Sequence, residues 1–175
     1  SELVSTMDEL VEVLKGLGYK MPDIKKVLPH IDRSKTIEEQ IKEQDVIYHR
    51  VAVKIGLSDS EMCVLYILAD NERTYTQQDI CRISHFAKQT VNSAISALVK
   101  NNYITLEPIT GVKNSKGIML TDKGRELTEK TVIPLMKAEE NAYSTVTESE
   151  LLTYLDVITK INIALKQGTE KIDSI

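Results

Sequence analysis

Cysteine is scarce in this chain. Its two thiols, Cys63 and Cys81, are too few and too far apart for a disulfide framework or a zinc site. Each reads as a small buried apolar residue rather than a redox sensor. Cys81 falls where two helices pack closely, and Cys63 lies beside Met62 and Val64. Long apolar runs are missing as well; none approaches the roughly 18 residues that a membrane span needs. The opening SELVSTMDELVEVL has acidic residues and no basic stretch, so it is not expected to act as a signal peptide. A reducing cytoplasm, without membrane attachment, is the expected setting. Internal repeats, low-complexity tracts, a glycine-rich phosphate loop and a nucleophile elbow are all lacking. Cysteine and histidine occur in no arrangement of a base with its orienting partner. Neither enzymatic activity nor a cofactor or metal is expected.

One further absence is local. From Arg82 to Ile104 there is no carboxylate at all. Solvated helix faces usually mix Glu with Lys, so a long acid-free stretch points to a polyanionic partner. The net charge of −4 conceals this. Between Arg82 and Arg125 seven basic residues face two acids, a net +5 that leaves −9 on the remainder. A local positive field of that kind attracts phosphate while the acidic body repels non-specific contacts.

The 175 residues are 42% hydrophobic and 27% charged, which fits one soluble domain, or one domain with an appendage. The most informative stretch, TQQDICRISHFAKQTVNSAISALVKNNYI (residues 76–104), reads as two helices joined by a tight turn. In the second, Val91, Ala94, Ile95 and Leu98 step by three and four and share a buried stripe. Gln89, Ser93, Ser96 and Lys100 fall opposite. Amides, hydroxyls and a lysine suit the major groove of a duplex, where base edges offer donors and acceptors and phosphates line the rim.

Residues 1–34 read as an N-terminal helical extension. Met7, Leu10, Val11, Leu14 and Leu17 lie at helical spacing up to Gly16 and Gly18, and a second short helix falls between Pro22 and Pro29. So strong an apolar stripe is expected to pack on something. Over residues 36–55 a long helix carries Ile37, Ile41, Gln44, Tyr48, Val51 and Ile55 in a heptad-like seam, with Gly56 as its stop. Ser58 with Glu61 forms a capping box for the next helix, whose apolar face is Met62, Leu65, Tyr66, Leu68 and Ala69, ending near Asp70 and Asn71. After the helical pair, residues 103–106 and 117–120 alternate as two short strands around turn residues Gly111, Asn114 and Ser115. Such a hairpin, with Lys113 and Lys116 near its tip, is a wing that meets the minor groove or the adjacent backbone. Thr121 or Asp122 caps a helix towards Ser144, with a kink expected at Pro134. Thr147 with Glu150 caps the last helix, whose stripe is Leu151, Tyr154, Leu155, Ile158, Ile161 and Leu165, with an end expected at Gly168. The apolar stripes of the terminal helices fit either an intramolecular bundle or a twofold dimer interface. The dimer is favoured, because a winged helix needs little covering and symmetric DNA sites favour dimers.

This order of elements resembles the MarR family of winged-helix transcriptional regulators over residues 37–167. The resemblance rests on LSDSEMCVLYILADN, the helix-turn-helix quoted above and IMLTDKGREL; KQTVNSAISALVKNNYI is similar to the recognition helix of a group of bacterial members. It implies a mainly α fold. A winged helix-turn-helix lobe would occupy residues 57–124, with a small β-hairpin wing. Long dimerisation helices would lie at 35–56 and 125–168, within one unit of residues 35–175. It also implies a homodimer on pseudo-palindromic double-stranded DNA, with binding switched by a small-molecule effector or an oxidant. Two departures stand out. The wing lacks the family's Asp-x-Arg pattern, so its minor-groove arginine has no counterpart here. The arm before Ile37 is longer than the usual lead-in.

Gln89, Asn92, Ser93 and Ser96 are the candidate base readers. Gln and Asn can pair bidentately with adenine, and Ser accepts either partner. Asn92 sits off the centre of the face. Thr76, Gln77, Lys88, Thr90, Lys100, Lys113 and Lys116 are the candidate phosphate contacts, Thr76 also as a plain cap with Asp79. His85, in the turn, is set to bond backbone or phosphate. Tyr48, His49, Arg50 and Tyr66 are candidates for a pocket holding an aromatic or anionic ligand, against the plainer reading of ordinary polar interface residues. The competing function is a winged-helix adaptor that binds another protein without sequence-specific DNA recognition; the acidic body and the extra N-terminal helices keep it open.

Overall fold

The computed structural model describes residues 7–16, 20–27, 35, 37–70, 73–109, 115–170 and 172. Expectations on Leu17, Gly18, Pro29, Thr36, Asn71, Gly111, Lys113 and Asn114, and on the side chains of Met7, Leu10, Ile37 and Ile41, lie outside the described residues.

Two short helices, α1 (Met7–Gly16) and α2 (Met21–Val27), form the N-terminal arm and touch one another. Ile24 of α2 is buried, while Val11 and Leu14 of α1 are half-buried. Helix α3 (Ile37–Lys54) ends where Gly56 takes a φ of 75°, the left-handed conformation that glycine adopts without a Cβ penalty. Ser58 then caps α4 (Asp59–Ala69) through the capping box with Glu61. Helix α4 is the central post of the lobe; Val64 and Leu65 are inaccessible, and α3, α5, α6, α7 and α8 all pack against it.

The helix-turn-helix consists of α5 (Gln77–Ser84) and α6 (Lys88–Lys100). Ile80 of α5 and Val91, Ala94, Ile95 and Leu98 of α6 enter the core at 4% exposure or less. The strands are β1 (Tyr75–Thr76), β2 (Ile104–Pro108) and β3 (Lys116–Leu120), in the antiparallel order β1-β3-β2. The wing is thus a three-stranded sheet rather than a bare hairpin. The two residues of β1 are too few to show alternation in a sequence; their pairing with Gly117 and Ile118 reveals them.

The helix expected to kink at Pro134 is instead two, α7 (Asp122–Lys130) and α8 (Val132–Tyr143), divided at Thr131. Proline acts on the residue four before it: its ring crowds the Lys130 carbonyl and it supplies no N–H. The break therefore precedes Pro134, which sits in the first turn of α8, where no N–H is required. The last helix, α9 (Glu148–Thr169), begins with the Thr147–Glu150 capping box and passes through Gly168 to Thr169. None of its residues is buried. Leu152, Leu155, Ile161, Ile163 and Leu165 remain 44–60% exposed, so among the described residues no intramolecular bundle covers them.

Candidate nucleic-acid interface

Helix α6 is held at both ends by backbone geometry. At its start, His85 takes the left-handed conformation (φ 56°) that closes α5, and three residues later α6 begins. His is among the few non-glycine residues that enter this region readily. At its end, Asn102 (φ 59°) closes a Schellman motif, in which Asn102 N donates to Val99 O and Tyr103 N to Leu98 O, both at 2.9 Å. The segment after the wing grips this end. Thr121 Oγ1 donates to Asn102 O at 2.7 Å, Lys123 Nζ donates to Asn101 O at 2.9 Å, and the same ammonium lies 4.5 Å from the Tyr103 ring centre. Gly124 lies so close that a Cβ there would stand 1.9 Å from Tyr103 O. The LTDKG segment is a clamp on the end of α6, a role that spacing in the sequence does not disclose.

With its apolar stripe buried, α6 presents Gln89, Ser93, Asn92, Ser96, Thr90, Lys88 and Lys100 to solvent, all exposed. Gln89 and Ser93 lie at the centre of the outward face. Asn92, Ser96 and Lys88 turn towards the wing and line a groove of about 990 Å³ with Thr76, Gln77, Lys100 and Lys116. Ser96 Oγ donates to Asn92 O at 2.8 Å, which leaves that hydroxyl as an acceptor for a base. Cys81 is half-buried at the floor of the groove, packed against the core. Cys63 also packs against the core, and burial pushes its thiol pKa up, away from the reactive thiolate.

The N-terminus of α6 differs from those of α4, α5, α7 and α9. Its N-cap is Ala87, no side chain accepts its first N–H groups, and no acid lies in its first turn. Uncompensated N–H groups and the positive end of the helix dipole lie beside Lys88 there, an arrangement whose charge is complementary to an anion. The absence of Ser, Thr, Asp or Asn at residue 87 was the available signal. The start of α5 is the reverse. Thr76 caps it in a box with Asp79, and Thr76 Oγ1 donates to Asp79 Oδ2 at 2.8 Å. Bonds from the Thr76 backbone and side chain hold the Asp79 carboxyl down at about 2. Asp79 also draws Arg82 to 3.2 Å and Arg73 to 3.4 Å. The cap reading of Thr76 is what the geometry displays, while Gln77 lines the groove beside it. Lys116, on β3, is exposed at the groove's rim.

The MarR family profile matches residues 55–113, the stretch from the end of α3 through the helix-turn-helix into the wing. Over that stretch, 59 of the 175 residues, the chain is similar to the MarR family. Its fold is similar to the transcription regulator MarR of Oenococcus oeni, at 16% identity over 76% of this chain and 99% of that one, with a TM-score of 0.61. A MarR-family regulator from Listeria monocytogenes, solved with a 26-mer DNA, is 23% identical over 78% and 95% of the two chains, with a TM-score of 0.58. The PcaV regulator of Streptomyces coelicolor, solved with its natural ligand, is 12% identical over 77% and 97%, with a TM-score of 0.55. No curated protein is significantly similar to the sequence. Among the described residues no helix is long and apolar enough to cross a membrane, and no three His, Cys, Asp or Glu side chains come together as a metal site.

The candidate ligand residues divide. Tyr48 and Tyr66 converge on Glu139 of α8, which accepts the Tyr66 hydroxyl. Desolvation first, and then the bond to Glu139, pushes the Tyr66 phenol up to about 12 and that of Tyr48 higher still. His49 turns elsewhere, bonding Asp59 at 3.0 Å where both are largely exposed. Arg50 is exposed and is not part of the cavity beside Tyr48. That cavity, about 310 Å³ between α3, α8 and α9, is lined by Tyr48, Glu139, Tyr143, Glu150, Leu151 and Tyr154 among others. Glu139, Tyr143 and Tyr154 lie ninety or more residues from Tyr48 in sequence, so periodicity within one helix could not group them.

Proposed function

We propose that the protein is a homodimeric transcriptional regulator that binds a pseudo-palindromic double-stranded operator, each subunit reading one half-site with α6. The observation that carries this is the division of α6 into a sealed apolar side and an outward side of amides and hydroxyls without a carboxylate. Gln89, Ser93, Asn92 and Ser96 read bases. Lys88, Thr90, Lys100, Gln77 and the wing lysines Lys113 and Lys116 hold phosphates, with the Ala87 end of α6 as a further anchor. Residues 57–124 act as the reading lobe. Helix α9, with the exposed Val46, Ile47 and Val53 of α3, supports dimerisation, because so much apolar surface on a single chain calls for a partner. Two reading heads then lie about one DNA turn apart, roughly 34 Å. A small molecule in the cavity between α3, α8 and α9 would shift the lobes against the dimer helices and weaken both half-sites together; the ligand-bound PcaV supports that reading by analogy. The test is selection of bound duplexes from a random pool. A palindromic consensus is expected. Folded protein that enriches no sequence, yet forms a stable complex with another protein, would favour the adaptor reading instead.

A further inference from the structure

The ligand cavity has a charge and a surface that narrow its occupant. Three tyrosines form its walls: Tyr48 from α3, Tyr143 from α8 and Tyr154 from α9. Two carboxylates, Glu139 and Glu150, face it, and among the described residues no basic side chain lines it. Glu150 also serves the α9 cap, accepting from Thr147 N and Oγ1 at 2.8 and 2.7 Å. Glu139 is different: it is half-buried, and the ionisable groups beside it are the phenols of Tyr48, Tyr66 and Tyr143, with burial and the Glu139 carboxylate pushing the first two further up. A half-buried carboxylate with hydrogen-bond donors but no cation gains most from a positive charge brought to it. Aromatic faces around the same space attract a cation through their quadrupoles, most strongly one that is weakly hydrated.

We infer that the cavity between α3, α8 and α9 binds an organic cation, a quaternary ammonium or a protonated amine on an apolar body, with Glu139 as counter-ion and Tyr48, Tyr143 and Tyr154 as the cage. The inference rests on the ligand-switch reading above and reverses the charge that the sequence suggested through Arg50. The small volume, about 310 Å³, sets the scale at one compact head group with a modest apolar extension. Val146, Ala142 and Leu151 supply the apolar part of the lining.

The full-length protein, at concentrations where it is dimeric, is titrated with benzyltrimethylammonium and with salicylate, using calorimetry and tyrosine fluorescence. The chain has no tryptophan and three of its seven tyrosines line the cage, so the part of the emission change that Tyr143→Ala removes reports the cage. Saturable binding of the cation is expected, weakened at least tenfold in Glu139→Gln and in Tyr143→Ala, with salicylate failing to compete. Glu139→Gln preserves the bond from Tyr66, so its fold, checked by circular dichroism, should be that of the parent. No saturable cation binding, an undiminished affinity in Glu139→Gln, or displacement by salicylate would each overturn the inference. Loss of binding on dimer formation would mean that the second copy fills the cavity, and overturns it as well. The same preparations are assayed for operator binding. If that survives while cation binding is absent, the regulator reading stands and only the ligand class falls.

Discussion

At the scale of single residues, the helix caps are the most transparent feature. Ser58, Thr76 and Thr147 each have an acid three positions on, and each forms the reciprocal capping box that this spacing predicts. Such bonds span one turn, so the sequence contains both partners. Asp79 adds a pH dependence. Its folded pKa of about 2 lies below the ordinary aspartate value near 3.9, so its stabilisation is full above that value and is lost as pH falls through 2. The urea midpoint of Asp79→Asn should therefore lie below that of the parent at neutral pH, and the difference should close as the solution approaches pH 2. On the reading face, Gln89→Ala and Ser93→Ala are expected to relax base preference, at a cost of about 1–3 kcal/mol for each good base contact removed. Unchanged preference in a repeat of the duplex selection would remove both from the set of base readers. Residues whose partners lie far along the chain were not legible in this way. Glu139 became part of a site only when α3, α4 and α8 were brought together.

At the scale of elements, α6 and the wing have to keep a fixed relation, and Gly124 enforces it. Gly124→Ala places a methyl against the Tyr103 carbonyl, which cannot retreat without opening the Schellman turn. Destabilisation of about 1–3 kcal/mol in chemical denaturation is expected. Helix α6 was legible because one period fixes both its buried stripe and its outward face. The division between α7 and α8 was mislocated because proline disturbs the carbonyl one turn earlier, not its own position. Strand β1 was missed because two residues have no period; only the neighbouring β3 makes them a strand. The wing's contribution to binding should be general rather than base-specific. Lys116→Ala is expected to weaken all sequences alike and to reduce the salt dependence by about one unit of slope for each phosphate left without its ammonium. Binding isotherms over several salt concentrations measure this directly.

At the scale of the whole molecule, an acidic body carries a positive winged-helix segment, and no residue of its last helix is buried within the chain. On the proposed homodimer, Leu155→Glu with Ile161→Glu should give a monomer in analytical ultracentrifugation and weaken binding to a palindromic site far more than to a half-site. A dimer that persists in that variant would place the interface on other surfaces. The amphipathic stripe of α9 could be read from the sequence, but the choice between an internal bundle and an external partner could not. Both bury the same leucines and isoleucines.

What the amino-acid order determined by itself was everything with short reach: the helix caps, the sealed stripe and polar face of α6, and the positive stretch in which that helix lies. Tertiary structure alone decided which distant residues meet: the clamp of Thr121, Lys123 and Gly124 on the end of α6, the short strand β1 and the tyrosine-lined cavity around Glu139. Local geometry follows from hydrogen bonds and periodicity within a turn or two of chain. Contacts between remote segments depend on how whole faces dock, and no local spacing records that.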